Sequence, residues 1–83
     1  MHELALTQSL VDLVVDRTVG RTVAAVHLRV GELSGVVPEA MEFCFEVVAA
    51  GGPLEGATLV VERTVGDELD LSHVELVREA PCA

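Results

Sequence analysis

The residues with the clearest chemical potential stand at the start of the chain, Met1-His2-Glu3. A free α-amine, the amide nitrogen of residue two and the His2 imidazole can close two fused chelate rings on one ion. Ni(II) and Cu(II) favour such nitrogen sets in square-planar geometry, because they promote amide deprotonation. The Glu3 amide, or a donor from a loop, would complete the set. Histidine is also the commonest metal-ligand side chain, as neutral imidazole. On spacing alone a single histidine does not separate a ligand from an exposed side chain, and both readings stand.

The remaining histidines and the two cysteines are weaker signals. His27 stands alone in an alternating segment, and His73 falls where the alternation breaks, so each reads as a surface or edge residue. Cys44 reads as a core thiol beside Phe45. Cys82 reads as a thiol of the C-terminal tail. Neither cysteine belongs to a C-x-x-C pair, so no disulfide framework or zinc finger can be read. No nucleophile, base and orienting group fall into a catalytic pattern. The glycines of "VGELSGVVP" lack the spacing and lysine of a phosphate-binding loop.

Composition narrows the partners. The formal net charge is −9, with only five Lys and Arg residues, too few to neutralise a phosphate backbone or an anionic bilayer. Neither nucleic acid nor membrane is expected. A cation or a basic protein suits the charge, as does plain solubility. No apolar run approaches the ~18 residues of a membrane span. No basic segment precedes the first apolar residues, and Glu3 and Asp12 interrupt them, which does not fit a signal peptide. The expected location is cytoplasmic.

These residues must be positioned by a small fold. The 83 residues suit one domain, and aromatics make up only 2% of them. The core must come from Val, Leu and Ala, with Phe43 and Phe45 as the only large rings. Residues 4–18 read as an amphipathic helix with Leu6, Leu10, Leu13 and Val14 on one face. Residues 22–30 alternate, with Val26, Leu28 and Val30 opposite His27 and Arg29, as in a strand with one buried face. Pro38 suits the first position of a second helix, which would turn Met41, Phe45 and Val48 inward and stop at Gly51-Gly52-Pro53. Residues 57–65 read as a second strand. Gly66-Asp67 reads as the turn of a hairpin into a third strand, about 68–77. In that strand Leu69 and Leu71 alternate, then Val74 and Leu76 take the opposite parity, which calls for a bulge or bend near Ser72-His73. The expectation is an α+β domain: a small three-stranded sheet with two helices packed on one face.

Three stretches taken together resemble a known family: "MHELALTQSLVDLV", then "LRVGELSGVVPEAMEFCFEVVAAGGPLEGATLVVE", then "GDELDLSHVEL". They are similar to the HypA/HybF nickel metallochaperones of hydrogenase maturation, over nearly the whole chain and in order. The resemblance implies a protein that is not an enzyme but binds Ni(II), through the Met1 amine, the His2 amide and imidazole, and Glu3. It implies delivery to the [NiFe]-hydrogenase large-subunit precursor, together with a GTPase accessory protein. In some organisms it extends to urease maturation proteins.

Two departures from the family pattern stand out. Family members carry a zinc domain with two C-x-x-C pairs between the strands matching "ATLVVERT" and "DELDLSHVEL". Here the chain passes straight through "VERTVGDELD", and Cys44 and Cys82 cannot replace a Cys₄ zinc site. Residues 1–78 would then be the nickel-binding domain, with the zinc domain absent at the 63–67 hairpin, and 79–83 a loose tail. Many relatives also place an acidic residue where this chain has Val37, so that contribution to the metal region is lost. An edge strand uncovered by the missing domain would invite self-association.

Overall fold

The computed structural model describes residues 3–78; Met1, His2 and the segment 79–83, with Cys82, lie outside the described residues. Five elements follow one another: α1 (Glu3–Arg17), β1 (Val23–Gly31), α2 (Pro38–Ala49), β2 (Thr58–Thr64) and β3 (Leu69–Leu76). The expected α+β fold is present, with a single three-stranded sheet in the order β2-β1-β3.

β1 is central because it carries the most continuous apolar face. Val26, Leu28 and Val30 are each at most 3% exposed. They meet Met41 and Phe45 of α2 and Val14 of α1 in one cluster, and Leu54, from the connection after α2, closes it. β2 runs parallel to β1, in step from Ala25 opposite Thr58 to Gly31 opposite Thr64. A parallel neighbour needs a crossover, and α2 supplies it.

β3 pairs antiparallel with the other edge of β1. His73 faces His27, but Leu71 faces Leu28, so Ser72 is the extra residue of a bulge. The bulge returns Val74 to the core-facing side after Leu71, as the parity change in the sequence predicts.

Three expectations need correction. The first helix turns Thr7, Leu10, Val11 and Val14 inward, whereas Leu13 is 41% exposed. Residues 7, 10, 11 and 14 also form an i, i+3, i+4, i+7 stripe, and a threonine can occupy it when its hydroxyl finds a partner. Phe43 is 67% exposed and adds nothing to the core, because it lies about 200° around the helix from Phe45. The hairpin is not formed either: β2 and β3 lie on opposite edges of the sheet, with β1 between them. Turn residues at 66–67 mark a reversal of direction. They do not say whether the two strands pair or a third lies between them.

Candidate functional site

Two contacts set the relation of the helices. The Val37 N–H points to Glu3 Oε2 at 3.4 Å, and Thr7 Oγ1 lies 3.3 Å from Met41 Sδ. Both pairs keep the same four-residue step, so α1 and α2 run in the same direction with their N-termini together. Both positive helix ends therefore face the side where residues 1 and 2 join the chain. Val37 is the residue before α2, and its side chain makes no capping hydrogen bond. The nearby Glu3 carboxylate puts a negative charge beside that uncapped end.

The same end gathers the C-terminus of β1 and the 65–68 connection. The Gly31 N–H donates to the Glu68 carbonyl (2.7 Å), Glu32 to Thr64 (2.9 Å) and Leu33 to Gly66 (2.9 Å). A Cβ on Gly31 would lie 2.1 Å from the Gly66 carbonyl oxygen, so only glycine permits this crossing. Loop 31–37 is thus held by the connection on one side and meets Glu3 on the other. A concavity of about 260 Å³ opens here, lined by Val30, Gly31, Glu32, Val36, Pro38 and Arg63.

The charges at this end are fixed by short local contacts. Glu39 lies below the usual carboxylate range, chiefly through its own backbone N–H in the first turn of α2 and then through Arg63 at 2.6 Å. Glu68 is lowered too, first by the Thr64 hydroxyl and then by its own backbone N–H. The region stays anionic around neutral pH, which suits a cation.

Of the residues singled out in the sequence, Glu3 lies at this end, while Met1 and His2 lie outside the described residues. Val37, the position without a ligand atom, does sit against Glu3. Cys44 is half-buried on α2. Elsewhere the structure joins two histidines that the sequence left separate. His27 and His73 stack with ring centroids 3.9 Å apart and planes 17° from parallel. His27 Nε2 is 3.1 Å from Glu75 Oε2, although it is not aligned for a hydrogen bond. Only the β1–β3 register brings the rings together, and spacing in the sequence does not reveal it. Among the described residues no group of three His, Cys, Asp or Glu side chains could hold a metal ion. No helix among them is long and apolar enough to cross a membrane.

The structure defines a small α+β domain that presents two helix N-termini and Glu3 at one end. A family model described as hydrogenase/urease nickel incorporation, metallochaperone, hypA, matches residues 1–75. The chain belongs to the HypA family. It is 52% identical over 66 residues to the hydrogenase maturation factor HypA of Geobacter sulfurreducens, covering 80% of this chain and 60% of that protein. The corresponding factor of Geobacter metallireducens is 53% identical over the same shares. That of Trichodesmium erythraeum is 46% identical, over 80% of this chain and 58% of that protein. The chain therefore spans about 60% of the length of the curated relatives it matches.

Proposed function

We propose that this chain is a Ni(II)-binding metallochaperone that assists nickel insertion into [NiFe]-hydrogenase in the cytoplasm. The observation that carries this reading is the family match beginning at residue 1. The convergence of α1, loop 31–37 and α2 on Glu3 supports it. Nickel is the cargo. The Met1 amine, the His2 amide and imidazole, and Glu3 hold it, and the protein performs no catalysis. The large-subunit precursor receives the metal with help from the GTPase accessory protein, and urease maturation proteins are further clients of the same chemistry.

The decisive experiment is a calorimetric Ni(II) titration of the untagged chain beside its His2→Ala variant and an N-terminally extended form. The amine is itself a ligand, so the extension abolishes specific binding even with His2 intact. An extended form that binds as tightly as the free one removes the chelate reading. Binding weakens as pH falls, because amine, amide and imidazole must be unprotonated to ligate.

A second reading has its own observation. β2 passes to β3 through four residues, with no cysteine pair between them. On this reading the zinc domain is missing at 63–67, residues 1–78 form the remaining domain, and 79–83 are a tail. The chain is then an adaptor of the same maturation system that no longer delivers metal, pairs with partners or copies of itself through its edge strands, and holds no zinc. No nickel heat in the titration, with retained binding to the GTPase, favours the adaptor.

A further inference from the structure

The two edges of the sheet are not alike. β2 and β3 are its outer strands, and among the described residues no strand pairs beyond either of them. Such an edge offers unused N–H and C=O groups to another chain. Beside β2 the helix layer brings carboxylates: Glu42 and Glu46 of α2 line the recess next to Thr58 and Leu59. Beside β3 it brings leucines. A concavity of about 210 Å³ lies between α1 and β3, lined by Leu6, Leu10 and Leu13 of α1 with Leu28, Leu69 and Leu71 of the sheet. Leu13 is 41% exposed, and Leu69, Leu71 and Val74 are only partly covered. The Ser72 bulge keeps Val74 on the face of the two leucines, so the inner side of this edge is apolar before and after the bulge.

The other side of β3 is anionic. Asp70 and Glu75 stand on the outer face of the sheet, level with Arg29 and Ala25 of β1. Glu62 of β2 is level with Arg29 from the other side. Among the described residues on this face of the strands, Arg29, bonded to Asp70 at 2.8 Å, is the one guanidinium beside these carboxylates.

A strand laid along β3 turns alternate side chains to the two faces of the sheet. Apolar residues suit the inward positions, which meet the leucine recess. Basic residues suit the outward positions beside Asp70 and Glu75, because opposite charges attract and like charges repel across neighbouring strands. Neither edge strand of this chain has that pattern. Two copies paired through β3 would set Asp70 and Glu75 against the same carboxylates, and β2 turns Val60 and Glu62 outward. We propose that the β3 edge, with the recess between α1 and β3, is the docking site for an extended segment of another protein in which apolar and basic residues alternate. Main-chain hydrogen bonds to β3 supply the affinity, and the recess and the carboxylates supply the choice of partner. The proposal rests on the edge-strand pairing named above, assigns it to one edge and one kind of partner, and is independent of nickel binding.

The test measures fluorescence polarisation of three labelled nine-residue peptides with the untagged full chain. One alternates valine and lysine, one alternates valine and glutamate, and one carries the valines and lysines in two separate blocks. The alternating valine–lysine peptide should bind at least about tenfold more tightly than the valine–glutamate one, and more tightly than the block peptide. Leu13→Glu should weaken it about five- to tenfold by spoiling the recess, although the added carboxylate would strengthen a mere attraction of charge. Asp70→Asn should narrow the preference for lysine over glutamate by about two- to fivefold. Glu46→Lys, beside β2, should leave binding within about twofold at physiological salt.

Melting of each variant is followed in parallel, and Leu13→Ala replaces Leu13→Glu if the latter fails to fold. Weakening by Glu46→Lys, with parent-like binding in both Leu13 variants, overturns the β3 assignment and leaves edge pairing standing at β2. Equal binding of the two valine–lysine peptides overturns strand addition altogether. So does a valine–lysine peptide that binds no better than the valine–glutamate one. A dimer of the parent in sedimentation, dispersed by Leu13→Glu, makes a second copy the occupant and overturns the proposal as well.

Discussion

His2 comes one residue before the start of α1, whereas His27 and His73 stack across β1 and β3 in the middle of the sheet. By proximity the sheet pair looks the better metal site. It has two imidazoles and the Glu75 carboxylate within a few ångströms. Yet stacked rings present their faces to each other, and ring nitrogens coordinate in the ring plane. The described residues contain no three-ligand group there or elsewhere. In the chelate proposed at the chain start, one imidazole would be joined by donors from the backbone itself. The two regions therefore set a clustering of side-chain types against the availability of free in-plane donors.

The largest expected effect tests that contrast directly. His2→Ala should weaken Ni(II) binding by more than about 100-fold, beyond the 10–100-fold usual for residues that only support a ligand. His27→Ala and His73→Ala should leave it within about twofold, since neither belongs to the proposed chelate. Calorimetry of the three untagged variants checks this. Nickel affinity lost in His73→Ala, with a parent-like melting temperature, would move the site to the sheet.

The two regions also differ in how they are built. The N-terminal end depends on backbone hydrogen bonds between loop 31–34 and residues 64–68, with no room for a side chain at Gly31. Gly31→Ala should therefore destabilise the fold by roughly 2–3 kcal/mol, as overpacking against backbone does. It should also loosen loop 31–37, and nickel affinity should fall with it. Chemical denaturation and the same titration read both effects. On the outer face, removing the stack with His73→Ala should cost less, about 0.5–1.5 kcal/mol for a ring pair. Equal losses from the two substitutions would erase the distinction.

How much of this could be read beforehand follows from the physics of each element. Local period foretold both helices. Pro38 opens α2 and the glycines at 51–52 follow its end. An irregularity near Ser72-His73 was legible too, since the parity changes between Leu71 and Val74, and the register shows it to be a bulge and not a bend. Strand neighbours were not. Alternation in 57–65 and 68–77 shows which face is buried and is silent on whether β1 lies between them. The His27–His73 contact depends on that long-range pairing and was hidden for the same reason. Thr7 was passed over because it is polar by type, although its position four residues after Glu3 fits a backward hydrogen bond. The candidate ligands came from the family resemblance, while spacing alone left His2 undecided.

The smallest expected effect concerns acid. Glu39 and Glu68 both titrate below the 4.5 of an ordinary glutamate in the folded chain. A carboxylate whose folded value is depressed stabilises the fold above its unfolded value, and that contribution fades as pH falls through the folded one. Both groups are exposed and screened, so each contribution is slight. Glu68→Gln should lower the melting temperature slightly at pH 7, where the parent's carboxylate accepts the Thr64 hydroxyl. The difference should narrow as pH falls through the parent's folded value, because its carboxylate then takes up a proton too. Glu39→Gln should behave alike, with the added loss of charge at the α2 N-terminus and of the Arg63 pair. No gap between parent and Glu68→Gln at pH 7 would mean that the connection is held by its backbone bonds alone. The N-terminal end would then owe its shape to Gly31 and its neighbours, with no contribution from carboxylate charge.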